Sequence, residues 1–164
     1  MKVIFLDIDG VLNNAACFLT GPGGLRARPD PLCIQALNRI LRATRAKIVI
    51  SSAWRKHLTE HQLAALLAKW KVAGRLIGTT PWVICAPRGA EIRAWLEQHP
   101  RVRQFVILDD DADMEDLHPH LVLTRFARGL TEAQATRAIQ ILERRNYAPS
   151  HRNARGVQRR LRFL

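Results

Sequence analysis

Acidic residues are scarce in this chain. Fourteen Asp and Glu stand against 26 Lys and Arg in 164 residues, giving a formal charge of +12 and a pI near 11.1. That balance argues against a cationic partner and favours an anionic one, with nucleic acid first. A basic surface kept for solubility, or an arginine-rich genome, would produce the same numbers. Cysteine is also scarce. Cys17, Cys33 and Cys85 are odd in number and lack metal-ligand spacing, so they read as reduced, mostly buried thiols in a cytoplasmic setting. No apolar run reaches the roughly 20 residues that a membrane-spanning helix needs. The amino terminus reads as a strand rather than a signal peptide, so no membrane partner is expected. His57 and His61 lie four apart, but no acidic or Cys ligand follows at useful spacing, so they read as surface histidines.

The remaining composition is that of an ordinary globular domain, with 48% apolar and 24% charged residues. The opening stretch, Met1 to Asn13, begins with the apolar run Val3 to Leu6, the pattern of a strand buried on both faces. Asp7 and Asp9 follow at once. Residues two apart in extended chain share a face, roughly 6–7 Å from each other. Gly10 then permits a sharp turn. Two like charges at a buried strand end repel each other and lose hydration, which a bound cation or a shared proton would relieve.

Further along, apolar runs alternate with helical stripes. Asn14 to Arg28 contains Gly21-Pro22-Gly23-Gly24 and reads as a loop or loose hairpin. Asp30 as N-cap and Pro31 open a helix whose stripe runs from Leu32 to Leu41. Lys47 to Ile50 is a second buried strand, followed by Ser51-Ser52-Ala53-Trp54-Arg55. Thr59 and Gln62 form a capping box for the next helix. Arg75 to Gly78 is a third strand, Arg88 opens a helix ending at His99-Pro100, and Gln104 to Leu108 is a fourth strand. Six of the fourteen acids then fall in the eight residues Asp109 to Asp116. A basic chain that gathers its acids at one strand end reads as having built a site there for a hard cation. A helix amino terminus stabilised by the macrodipole would explain Asp113, Glu115 and Asp116 equally well. His120 to Thr124 is a fifth strand, and Thr131 with Gln134 caps a last helix. The alternation predicts an α/β fold with a mainly parallel sheet, whose ligands gather at the carboxyl ends of the strands.

The string Asp7-Ile8-Asp9-Gly10-Val11-Leu12-Asn13 behind a hydrophobic strand resembles the first motif of the haloacid dehalogenase (HAD) superfamily of phosphohydrolases. The resemblance implies a Rossmann-like sheet of strand order 3-2-1-4-5 with flanking helices. It also implies Mg2+ as cofactor and an aspartyl-phosphate intermediate. By that match Asp7 is the nucleophile, and Asp9 is the general acid and base whose backbone carbonyl helps hold Mg2+. Ser51, with Ser52 as the close alternative, would bond the transferring phosphoryl group. Arg88, with Arg55 and Lys56 competing, would neutralise nucleophile and phosphate. Asp109-Asp110-x-x-Asp113 resembles the fourth motif, with Asp110 the direct metal ligand and Asp109 and Asp113 direct or one layer out. Ser52, Arg55 and Gly10 complete the set expected around the substrate.

The gaps between motifs leave room for a flap at about 13–28 but for no large cap domain. An open site suits a substrate that brings its own bulk, such as a nucleic-acid end or a protein. The wording around Ser51 to Arg55 and Arg88 to Ile92 is similar to the small HAD domains of RNA-repair proteins. The expected division is a HAD-like hydrolase domain over 1–146 and a basic extension over 147–164. From Arg144 onward seven of 21 residues are Arg and none is acidic, which leaves +5 on the rest. Val157, Leu161, Phe163 and Leu164 are candidates to pack that end onto the domain. The expected activity is a Mg2+-dependent phosphomonoesterase, with terminal phosphates of nucleic acids as the preferred substrate. The alternatives are a non-catalytic basic nucleic-acid-binding module, or a small-nucleotide phosphatase that stacks a base on Trp54 or Trp82.

Overall fold

A computed structural model describes residues 1–21 and 28–144. The extension over 147–164, and the candidate packing residues within it, lie outside the described residues, as does most of Gly21-Pro22-Gly23-Gly24. Five strands form one all-parallel sheet: β1 (Lys2–Leu6), β2 (Lys47–Ile50), β3 (Leu76–Thr79), β4 (Gln104–Asp109) and β5 (Leu121–Leu123). Their spatial order is β3-β2-β1-β4-β5. The helices are α1 (Ala15–Thr20), α2 (Pro31–Thr44), α3 (Glu60–Lys69), α4 (Arg88–Gln98) and α5 (Glu132–Glu143). No cap domain is inserted among the described residues. No helix among them is long and apolar enough to cross a membrane.

The order follows from burial. β1 is central and apolar on both faces, as a strand covered by helices on each side must be. Ile4 and Leu6 point into a core shared with Leu37, Leu63 and Leu142 of α2, α3 and α5. Val3 and Phe5 point into a second core with Ile92 and Trp95 of α4. There Phe5 meets Trp95 and Phe105 edge to face, with ring centroids 5.4 and 5.7 Å apart, the geometry that aromatic quadrupoles favour.

This alternation decides where the chemistry lies. Leu6 pairs with Ile50 on one side and Leu108 on the other. The ladder continues one step further, Asp7 N–H donating to Leu108 O and Ser51 N–H to Leu6 O, each at 3.0 Å. Asp7, Ser51 and Asp109 therefore continue the parity of Phe5, Val49 and Ile107, all of which face α4.

Two expectations need correction. The stretch after Asn13, expected as loop or loose hairpin, begins with α1. Asn14 Oδ1 accepts the N–H groups of Ala16 and Cys17 at 3.1 and 3.3 Å, a side-chain cap that starts a six-residue helix. The cysteines are not mostly buried: Cys33 is buried, Cys17 is half-buried and Cys85 is exposed.

Candidate active site

The loop after β1 is held from every side. Gly10 has φ of +73°, and a Cβ built on it would overlap the Asp110 carboxylate, so backbone conformation and close approach both require glycine. Asn13 Oδ1 accepts the Gly10 N–H at 3.2 Å, and Asn13 Nδ2 donates to Asp9 Oδ1 at 2.8 Å. Thr124, just beyond β5, donates from Oγ1 to Gly10 O at 2.7 Å and from its backbone N–H to Asp109 O at 2.8 Å. It ties the loops after β1, β4 and β5 together.

Asp7, Asp109 and Asp110 each offer a carboxylate oxygen, all within 4.8 Å of one another. Asp7 and Asp109 are buried and Asp110 half-buried. Asp7 Oδ1 accepts the Ile8 N–H at 2.8 Å. Asp109 Oδ1 accepts the Asp111 N–H at 3.0 Å, and its Oδ2 accepts from Arg88 Nη1 at 2.9 Å. The same Arg88 nitrogen stands 3.8 Å from Asp7 Oδ1. Arg88 begins α4, the helix faced by both carboxylates, which is why one guanidinium reaches both.

The electrostatics record crowding. Burial, then the neighbouring Asp7 charge, pushes the Asp109 carboxyl up to about 7, against the opposing pull of Arg88 and the Asp111 N–H. Burial and Asp7 likewise raise Asp110. Burial works against charge on Arg88, but Asp109 and Asp7 outweigh it and hold its guanidinium above the usual range. Three hard oxygen donors with more negative charge than one arginine neutralises are a fit for Mg2+. Asp7, Asp109 and Asp110 are the residues that would hold it.

Asp9 carries the remaining carboxylate. Its Oδ2 accepts the Trp54 indole N–H at 2.9 Å, so both oxygens are aimed, one by Asn13 and one by Trp54. Ser51 Oγ is wholly buried with no hydrogen-bond partner among the described residues, a cost that an arriving acceptor would remove. Ser52 Oγ instead accepts the Trp54 backbone N–H at 3.4 Å, capping the 3-10 turn Ala53–Lys56.

The structure does not present every expected residue to substrate. The Arg55 side chain is only 3% exposed. Its guanidinium donates to the carbonyls of Ser51 and Ser52 and to the buried Glu91 carboxylate, and its Nε donates to Thr80 O at 3.1 Å. Burial lowers its pKa despite Glu91. Arg55 therefore braces the turn from within. Lys56 turns to Trp82, its Nζ 3.2 Å from the ring centroid. Asp113 is exposed and outside the carboxylate group, while Glu115 and Asp116 pair with Arg93. Sequence reasoning missed the roles of Trp54, Thr124 and Glu91. Asn13 stood inside the quoted motif, but without a task.

The family profile for the HAD domain in Swiss Army Knife RNA repair proteins matches residues 3–135. No curated protein matches the chain. With most of its length matched, and with the sheet order and carboxylate grouping described above, this chain belongs to the HAD-domain family of Swiss Army Knife RNA repair proteins.

Proposed function

We propose that this protein is a Mg2+-dependent phosphomonoesterase acting on terminal phosphates of nucleic acids through an aspartyl phosphate on Asp7. The observation that carries the reading is the meeting of Asp7, Asp109 and Asp110 within 4.8 Å beside Arg88. A phosphate monoester is an anion, and a carboxylate attacks it only where the repulsion is cancelled. Arg88 supplies part of that cancellation. Mg2+, when bound, supplies the rest as a Lewis acid.

An Asp7 carboxylate oxygen attacks phosphorus in line, and the bond from phosphorus to the ester oxygen breaks. Asp9, aimed by Trp54 and Asn13, gives its proton to the departing oxygen. Ser51 Oγ, with no partner among the described residues, donates to a phosphoryl oxygen. Asp9, now a carboxylate, takes a proton from water. That water attacks the acyl phosphate, releasing phosphate and restoring Asp7.

The test uses p-nitrophenyl phosphate with Mg2+ and with EDTA, for the natural chain and Asp7→Asn. Turnover that needs Mg2+ and disappears in a folded Asp7→Asn protein is expected. Undiminished activity in that variant would refute the nucleophile assignment. For substrate class, phosphorylated oligonucleotides are compared with mononucleotides. Preference for mononucleotides would move the reading to a small-nucleotide phosphatase.

A further inference from the structure

We infer that Trp82 and Lys56 form a stacking subsite at the rim of the site, taking the nucleobase next to the terminal phosphate of a single-stranded nucleic acid. The inference rests on the phosphatase reading above and adds the place where the rest of the substrate lies.

The segment 80–87 joins β3 to α4 and puts three consecutive large apolar residues at the surface. Trp82 is 52% exposed, Val83 43% and Ile84 80%. Single exposed apolar side chains are ordinary, but a contiguous group next to a reactive centre marks a contact surface. The segment is fastened at its first residue and again at Val83. Thr80 N–H donates to Ile50 O at 3.0 Å, and Val83 N–H donates to the Glu91 carboxylate at 3.1 Å. Glu91 is also the partner of Arg55, whose guanidinium holds the Ser51 and Ser52 carbonyls and lies 5.6 Å from the Trp82 ring centroid. The indole thus stands two contacts from Ser51.

Lys56 adds charge at the same spot. It closes the turn Ala53–Lys56, whose Trp54 aims Asp9. An ammonium over an indole is a favourable cation–π pair, and here it leaves half of the tryptophan surface open. A flat π surface with a cation attached matches a base followed by a phosphate, the pairing that single-strand binders use. The formal charge of +12 favours such a polyanion over a protein partner. Trp54 is no rival platform: it is 3% exposed, and its N–H is spent on Asp9.

The experiment compares the natural chain with Trp82→Ala, Trp82→Phe and Lys56→Gln. Substrates are p-nitrophenyl phosphate and single-stranded oligonucleotides carrying a 3′- or a 5′-phosphate, so the two ends are read separately. Trp82→Ala should raise KM for at least one oligonucleotide roughly tenfold or more and leave p-nitrophenyl phosphate turnover unchanged. Trp82→Phe should restore most of the loss. Lys56→Gln should flatten the salt dependence by about one phosphate contact. Equal loss on both substrates, or none on either oligonucleotide, overturns the subsite. Binding of the same oligonucleotides to Asp7→Asn, followed by tryptophan fluorescence with and without Trp82→Ala, reads the subsite independently of turnover. If the natural chain hydrolyses nothing, the phosphatase reading fails, while this titration still decides whether Trp82 takes a base.

Discussion

Trp54 Nε1 donates to Asp9 Oδ2 at 2.9 Å across 45 residues of chain. The indole is buried, meets Trp70 edge to face at 5.8 Å, and uses its one donor to aim the carboxyl group assigned to proton transfer. Trp54→Phe keeps most of the packing and removes only the donor. Because hydrogen bonds to charged groups contribute about 1.5–3 kcal/mol, kcat should fall by roughly ten- to a hundredfold with KM little changed. Steady-state kinetics on p-nitrophenyl phosphate check this, and an unaltered kcat would show that Asn13 alone suffices to orient Asp9.

That relationship also marks how far the sequence could be read. The sheet was legible because β1, β2 and β4 are apolar on both faces, a signature few other elements share. The acids at the end of β4 were legible because they interrupt a basic chain. Helix α1 was not, since six residues are too few to show a helical period and its start depends on one asparagine cap. The partners of Asp9 and Gly10, Trp54 and Thr124, arrive from 45 and 114 residues away, and no local pattern announces them. Arg55 looked like a phosphate ligand because position in a motif says nothing of burial. The buried Glu91, 36 residues on, turns it inward.

Gly10 admits no side chain. Gly10→Ala places a Cβ at φ of +73° and onto the Asp110 carboxylate. Left-handed backbone at a residue with Cβ costs about 1–2 kcal/mol, and the overlap adds to it. The variant should lose thermal stability and, because Asp110 must move, most of its affinity for Mg2+. Calorimetric titration of Mg2+ into the variant separates the second effect from the first, and affinity equal to that of the natural chain would place Asp110 outside the metal site.

The crowded carboxylates set a dependence on pH. Burial and the neighbouring Asp7 charge push the Asp109 carboxyl up to about 7 from an ordinary value of 3.8. A carboxyl group raised on folding contributes stability that is complete below about 4 and lost as pH rises through about 7. Mg2+ competes with the proton for these oxygens. The rise in Tm on adding Mg2+ should therefore be larger at pH 8 than at pH 6. Asp110→Asn removes one like charge, so it should raise the metal-free Tm by roughly 2–4 °C per kcal/mol of repulsion relieved and abolish most of the Mg2+ response. Differential scanning calorimetry at both pH values measures these effects together, and a Mg2+ response that is flat with pH would contradict the assignment of Asp109 to the site.

The Arg55–Glu91 pair is the most deeply desolvated ion pair among the described residues, with side chains 3% and 2% exposed. Removing one partner of such a pair strands a buried charge, at a cost of about 3–5 kcal/mol. Glu91→Gln keeps the shape and one acceptor for the Val83 N–H but loses the charge. It should lower Tm by on the order of 10 °C for a chain of this length. Arg55→Lys should do at least as much, because an ammonium cannot reach the Ser51, Ser52 and Thr80 carbonyls and Glu91 at once. The two substitutions meet in one contact, so their effects should not add. A double variant about as stable as the worse single one, measured by thermal unfolding, is the expected result. Strict additivity would mean that Arg55 braces the turn through the carbonyls alone and that Glu91 serves only the segment carrying Trp82.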